Sequence, residues 1–333
     1  MQQWARFAIL GAMFVTAYLL ILAWQKDYGH AQTTPQQPAA VVTAHDVSAD
    51  LPNTQNATAA SDLPQANVTT SQATETPSVT QQLISVKTDL YHLWINPKGG
   101  DIVRIELLSH DESKDSEKPF VMLESDAKRT YVAQSGLIGL NGPDSSRNGR
   151  PMYDVEKTSY TLADAKSVAA QDGKTSQVLT VPLVFKTPEG VEVIKTFTFT
   201  QGDYPITVKH QVINRSQQNW QGQMFGQLKR DNSDDPGKSS QGIFTLGTYL
   251  GGAWGTPEEH YNKLKFANFN DEKLNVEAKG GWVAMVQHYF VSAWIPGDLK
   301  LTQANGQPYT AKLESRQSAD GMNIMGFTSP VIN

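Results

Sequence analysis

Hydrophobic and polar positions divide this chain into three stretches, each predicting a different kind of structure. Residues 7–24 form an apolar run of 18 positions without a charge. Residues 31–82 are mostly Ala, Gln, Thr, Ser, Asn and Pro, with no Lys, Arg, Phe, Tyr or Trp. From residue 83 onward apolar positions recur mainly every second residue. That period predicts strands at 83–87, 90–95, 102–107, 131–134, 178–185, 191–200, 206–213 and 224–228. Lys195-Thr196-Phe197-Thr198-Phe199-Thr200 alternates most cleanly, which suits a half-buried antiparallel strand. Asn96-Pro97-Lys98-Gly99-Gly100 is a turn cluster, and Glu189-Gly190 between two apolar runs is a hairpin signal. A short helix is expected at 258–264, with Thr256 as its cap and Pro257 at its first position. Many short strands separated by turn signals predict an all-β fold, a large antiparallel sandwich with few short helices.

As a helix, the apolar run would be about 27 Å long, close to the hydrocarbon thickness of a bilayer. Trp4 and Trp24 bracket it, as an aromatic belt would. Arg6 precedes it, while Lys26 and Asp27 cancel each other. This bias keeps residues 1–6 in the cytoplasm and sends everything after Trp24 across the membrane. The competing reading is a cleaved signal peptide, with Gly29-His30-Ala31 as a loose cleavage site. An anchor fits better, because the run exceeds the ~7–15 residues of a signal core. The lipid bilayer is thus one expected partner, through residues 7–24.

The polar stretch cannot bury enough apolar surface to offset its ordering entropy, and its prolines block regular structure. Residues 25–82 therefore read as a flexible tether. Two glycosylation sequons, Asn56-Ala57-Thr58 and Asn67-Val68-Thr69, are of the kind that Thr-rich tracts contain by chance. Residues 83–333 are long enough for one large domain. All but two of the 28 basic and all but five of the 33 acidic residues lie there. Such a balance offers no field to attract nucleic acid. The chain has no cysteine, so neither a disulfide nor a lipoprotein anchor is possible and the core alone must hold the domain.

Candidate chemistry is sparse. Gly237-Lys238-Ser239 ends like a phosphate-binding loop, but Asn232 stands where that loop needs its first Gly, and Asp234 and Asp235 would repel phosphate. Read as a calcium loop, the same segment places Pro236 where the sharp turn wants Gly. No two of the seven histidines have helical metal-ligand spacing, so no metal or cofactor is expected. His92 and His210 fall within strands and face either a cleft or solvent. Gln134-Ser135-Gly136 lacks the first Gly of a nucleophile elbow. A glycosidase-like pair among the many carboxylates stays open. The segment 233–241 reads as an exposed, dispensable loop, and Ser233, Asp234, Asp235, Lys238 and Gln241 are its candidate partner-contact residues.

The densest apolar stretch after residue 24 is GGWVAMVQHYFVSAWIP at 280–296. Bounded by Gly-Gly and Pro, it predicts buried core, as two strands bending at Gln287-His288 or as one helix. Trp282, Tyr289, Phe290 and Trp294 are its expected core anchors. The stretch resembles part of the periplasmic domain of YidC membrane protein insertases of Gram-negative bacteria. So do Leu83-Ile84-Ser85-Val86-Lys87-Thr88-Asp89, Ala133-Gln134-Ser135-Gly136-Leu137, Pro151-Met152-Tyr153-Asp154-Val155-Glu156-Lys157 and Phe225-Gly226-Gln227-Leu228-Lys229. The layout of anchor, polar tether and large β domain is similar too.

The resemblance implies a β-supersandwich related to mutarotase-like folds. It implies a non-enzymatic accessory role in inserting and folding inner-membrane proteins. The implied partners are Sec translocon components, nascent inner-membrane proteins and a second copy of the chain. The family's insertase core, five further spans with a hydrophilic groove, has no counterpart in this sequence, which resembles an N-terminal part of such a protein. The rival reading is a sugar-binding or epimerase-like β-sandwich.

Overall fold

The computed structural model describes residues 16, 18–19, 82–114, 116–146, 149–169, 175–236, 249–297 and 310–333. The chain divides into two compact units, Met1–His45 with Gln241–Thr248, and Asp46–Ser240 with Tyr249–Asn333. In the first unit only Thr16, Tyr18 and Leu19 are described, and all three are helical. The expected span and tether otherwise lie outside the described residues. Among the described residues no helix is long and apolar enough to cross a membrane.

The second unit is all-β, with nineteen strands among the described residues. A ten-stranded sheet runs, in spatial order, β15 (Asn275–Ala278), β18 (Ala311–Gln317), β19 (Asn323–Thr328), β12 (Gln223–Arg230), β5 (Thr130–Ile138), β4 (Pro119–Ser125), β3 (Asp101–Asp111), β2 (Tyr91–Asn96), β1 (Ile84–Lys87) and β7 (Ser159–Thr161). A five-stranded sheet runs β11 (Ile206–Asn214), β10 (Val191–Thr200), β9 (Thr175–Lys186) and β6 (Asp154–Val155), with β8 (Lys166–Ala169) also on β9. A four-stranded sheet runs β14 (Asn262–Lys265), β13 (Gly251–Gly255), β16 (Trp282–Val286) and β17 (Val291–Trp294). Pairing is antiparallel throughout except between β1 and β7.

The sheets form because their alternating residues share one apolar core. Ile84 and Val86 of β1 and Tyr91, Leu93 and Ile95 of β2 are buried in it, as are Leu179, Val181 and Leu183 of β9 and Val193, Phe197 and Phe199 of β10. Strand β10 has the bounds that the alternation predicts. The hairpin signal at Glu189-Gly190 joins β9 to β10, with Gly190 at φ 96°. The apolar stretch at 280–296 is two strands, β16 and β17, paired as a hairpin around Gln287.

One expectation is corrected. Residues 258–264 are not a helix. Thr256 Oγ1 does accept the Glu259 N–H at 3.0 Å, as a cap would. The chain then leaves as β14, which pairs with β13 and buries Leu264. Burial of Leu264 and the ladder to β13 outweigh the weak local preference of so short a segment.

Candidate partner-contact site

The candidate loop begins where β12 ends, and its position follows from register. Arg230 faces Tyr131 across the β5–β12 ladder, and the Asp231 N–H donates to the Thr130 carbonyl at 2.9 Å. Arg230 is fully buried, with its guanidinium 4.8 Å from the Tyr131 ring centroid. Its nitrogens donate to the carbonyls of Asp231 (3.2 Å) and Ser233 (2.8 Å) and to Asp235 Oδ1 (3.3 Å). Asp231 accepts the N–H groups of Thr130 at 2.7 Å and Ser233 at 3.0 Å.

Asp235 is the keystone. Its Oδ1 also accepts Gln287 Nε2 at 2.7 Å and Arg129 Nη2 at 3.5 Å. Arg129 is buried and holds the Val121 and Met122 carbonyls, both at 3.0 Å. Burial, then the neighbouring Arg230, push Arg129 below its ordinary range, against the pull of Asp235. Asn323 donates to Asn232 Oδ1 at 2.8 Å. The described part of the expected exposed loop, Ser233 to Pro236, is thus a tied turn, with Asp235 held by Arg129, Arg230 and Gln287. Asp234 is exposed, while Ser233 and Asp235 are half-buried. Lys238 and Gln241 lie outside the described residues.

The expected core anchors separate. Phe290 packs on Phe120 with ring centroids 4.4 Å apart. Trp294 is half-buried against Phe327 (6.2 Å). Trp282 is half-buried and lies beside Tyr261. Tyr289 is 81% exposed, stacked on His288 at the hairpin tip, so it is not a core residue. The true core of the hairpin is Val283, Ala284 and Met285. A tight turn projects its tip residues away from both flanking sheet faces, so aromaticity at 289 does not imply burial.

A second buried polar cluster has no signature in the motifs of the sequence. Arg150 donates through Nε to Asp144 Oδ1 at 2.8 Å, through Nη1 to Asp101, and through Nη2 to the carbonyls of Gly99 (3.1 Å) and Ser135 (2.8 Å). Lys195 Nζ donates to the carbonyls of Gly99 (3.0 Å), Gly100 (2.7 Å) and Ser135 (2.9 Å). Burial pushes the Lys195 ammonium down to about 7, while Asp101 draws it back up. Three carbonyl acceptors need three protons, so the geometry is that of the charged form. Burial likewise raises Asp144 against the pull of Arg150. Gly99 and Gly100, at φ 77° and 64°, allow this approach, since a Cβ at Gly99 would lie 2.5 Å from the Arg150 guanidinium carbon. The missed signal was parity, because Lys195 falls on the same face of β10 as Phe197 and Phe199.

The strand histidines differ. His92 bonds Ser85 at 2.8 Å, and burial pushes it down against the pull of Glu106. His210 sits opposite Lys195, with both ring nitrogens enclosed and no hydrogen-bond partner among the described residues. No cluster of three metal-ligating side chains occurs among the described residues.

Residues 83–333 match the family model described as the YidC periplasmic domain. The chain belongs to this family. "Membrane protein insertase YidC" of Pseudomonas fluorescens (strain SBW25) is 40% identical over 331 residues, covering 98% of this chain and 55% of that protein. The protein of the same name from Marinomonas sp. (strain MWYL1) is 41% identical over 329 residues, covering 97% and 54%. The chain spans about half the length of the curated relatives it matches. They are named as insertases rather than enzymes, in line with the non-enzymatic reading.

Proposed function

We propose that this chain supplies the membrane-tethered periplasmic part of an insertase, assisting insertion and folding of inner-membrane proteins. The match of residues 83–333 to the periplasmic-domain family carries the reading. Residues 7–24 act as the anchor and 25–82 as the tether, with residues 1–6 in the cytoplasm. A reporter active only in the cytoplasm, fused after Asn333, is expected to be silent, and activity there overturns this orientation.

Contacts with Sec components and nascent clients are the accessory role in this reading. The exposed Asp234, on a turn held by Arg129 and Arg230, is a preorganised docking point. The chain contains no cysteine, so Asp234→Cys carries a single photo-crosslinker in the full chain. Crosslinks to a Sec component are expected in membranes. Sec crosslinks arising only from other positions would remove the turn from the contact.

A further inference from the structure

Strand β17 is an end strand of the four-stranded sheet, and no described strand pairs with its outer edge. Its inner side chains are engaged. Ser292 meets the Tyr131 hydroxyl and Trp294 packs on Phe327. The alternate positions face outward: Val291 is 55% exposed and Ile295 69%, with Ala293 exposed between them. Residues 280–297 contain no Asp, Glu, Lys or Arg. Natural sheets blunt bare edges with charges, bulges or a proline in the strand. Here Pro296 follows the strand and leaves its centre open.

We propose that β17 accepts an added strand from an extended, uncharged, apolar segment of a client polypeptide. The word client rests on the insertase reading, whereas the strand addition rests on the edge itself. Three features select this occupant. An edge unpaired among the described residues carries a repeating row of N–H and C=O groups that an extended backbone can pair in register, and acyl chains offer none. The outward row has no charge to attract a charged partner, while its apolar side chains match alternate apolar residues on an incoming strand. A four-residue strand presents far less than the ~800 Å² per partner typical of a stable dimer, so the contact is transient and not a self-association.

The test uses the full chain in zwitterionic nanodiscs and a fluorescein-labelled peptide of eight alternating Val and Thr residues. Anisotropy is expected to show saturable binding that weakens at least tenfold in Val291→Lys and in Ile295→Lys. Both positions are exposed, so unchanged thermal unfolding should confirm that the fold survives. A probe with every backbone amide N-methylated keeps the apolar side chains but loses all its donors, and its binding should vanish. Equal binding of that probe, or binding unaffected by Val291→Lys, overturns strand addition. Val291→Cys provides the remaining arms. Quenching of a label there by brominated lipid shows the bilayer as occupant, and a predominant disulfide dimer shows a second copy; either result overturns the proposal. Sec crosslinks at Asp234 persisting while the peptide fails to bind would sink this inference alone and leave the insertase reading intact.

Discussion

Two buried clusters each combine two cations with two carboxylates, yet they do different work. Arg150 and Lys195, with Asp101 and Asp144, join β10 of the five-stranded sheet to β3 and β5 of the ten-stranded sheet, and backbone carbonyls take most of their donors. Arg129 and Arg230, with Asp231 and Asp235, fasten a turn to the end of β12; backbone carbonyls take most of their donors as well, two of them the turn's own at Asp231 and Ser233, and one carboxylate, Asp235, accepts both guanidiniums. Among the described residues, Arg129 Nε and Gln287 Oε1 are buried there without a hydrogen-bond partner, as is Asp101 Oδ1 in the first cluster. Carbonyls of β5 and of the β2–β3 turn are fixed by the ladders around them, whereas the carbonyls and carboxylates of the second cluster's turn depend on one short segment holding its shape. The first cluster locks the fold, and the second positions a surface.

The largest expected effect breaks the lock. Arg150→Met strands Asp101 and Asp144 in the interior and should cost about 3–5 kcal/mol in urea unfolding. A loss below about 1 kcal/mol would make the cluster incidental. Next, Asp235→Ala leaves two guanidiniums facing each other at the turn. Both guanidiniums keep their carbonyl acceptors, so about 2–3 kcal/mol is expected. Proteolysis after Arg230 should accelerate more than global unfolding, and equal acceleration of both would merge the two clusters into one cooperative unit.

His210 adds a pH arm to the lock. Burial, then Lys195 and Arg150, hold its pKa well below the ordinary 6.5. The unfolded chain therefore binds more protons, and stability is lost as pH falls from 6.5 toward the folded value. The slope is at most ~1.4 kcal/mol per pH unit. His210→Gln should flatten that slope, and an unchanged profile would assign acid sensitivity elsewhere. The smallest effect is the control. Lys157 and Asp164 form an exposed ion pair, and Lys157→Ala should leave the urea midpoint almost unchanged. A larger loss would show that burial is not what separates the two clusters from ordinary pairs.

Legibility in the sequence followed the same division. Strand β10 announced itself through Val193, Phe197 and Phe199, and Lys195 at the same parity already marked a buried charge. Strand β19, Asn-Ile-Met-Gly-Phe-Thr, did not, because every residue in it is buried and no alternation survives. Strand β13 was hidden by Gly251, Gly252 and Gly255, residues that disfavour strands. At Gly252 a Cβ would lie 2.6 Å from the Met325 sulfur, so packing demands the glycine. The turn cluster unites Arg129, Arg230 and Gln287, which only the long-range β5–β12 register and the β16–β17 hairpin bring together. No local pattern encodes such a meeting, and the segment around Asp235 consequently read as a loose loop.

The position of β12 governs when this domain can finish folding. Phe225 pairs with Gly136 on one side and with Thr328 on the other, so its two neighbours lie roughly a hundred positions away in opposite directions. Strands β1 to β5 can form local hairpins as soon as they emerge. The middle of the large sheet cannot close until residues 323–328 arrive, so the most C-terminal of the described strands is one of the most interior. Until then β12 keeps a raw edge, and closure must overcome the entropy of very long loops. Completion therefore comes as a late, all-at-once event, and a chain stalled before residue 323 presents an unfinished sheet to its surroundings.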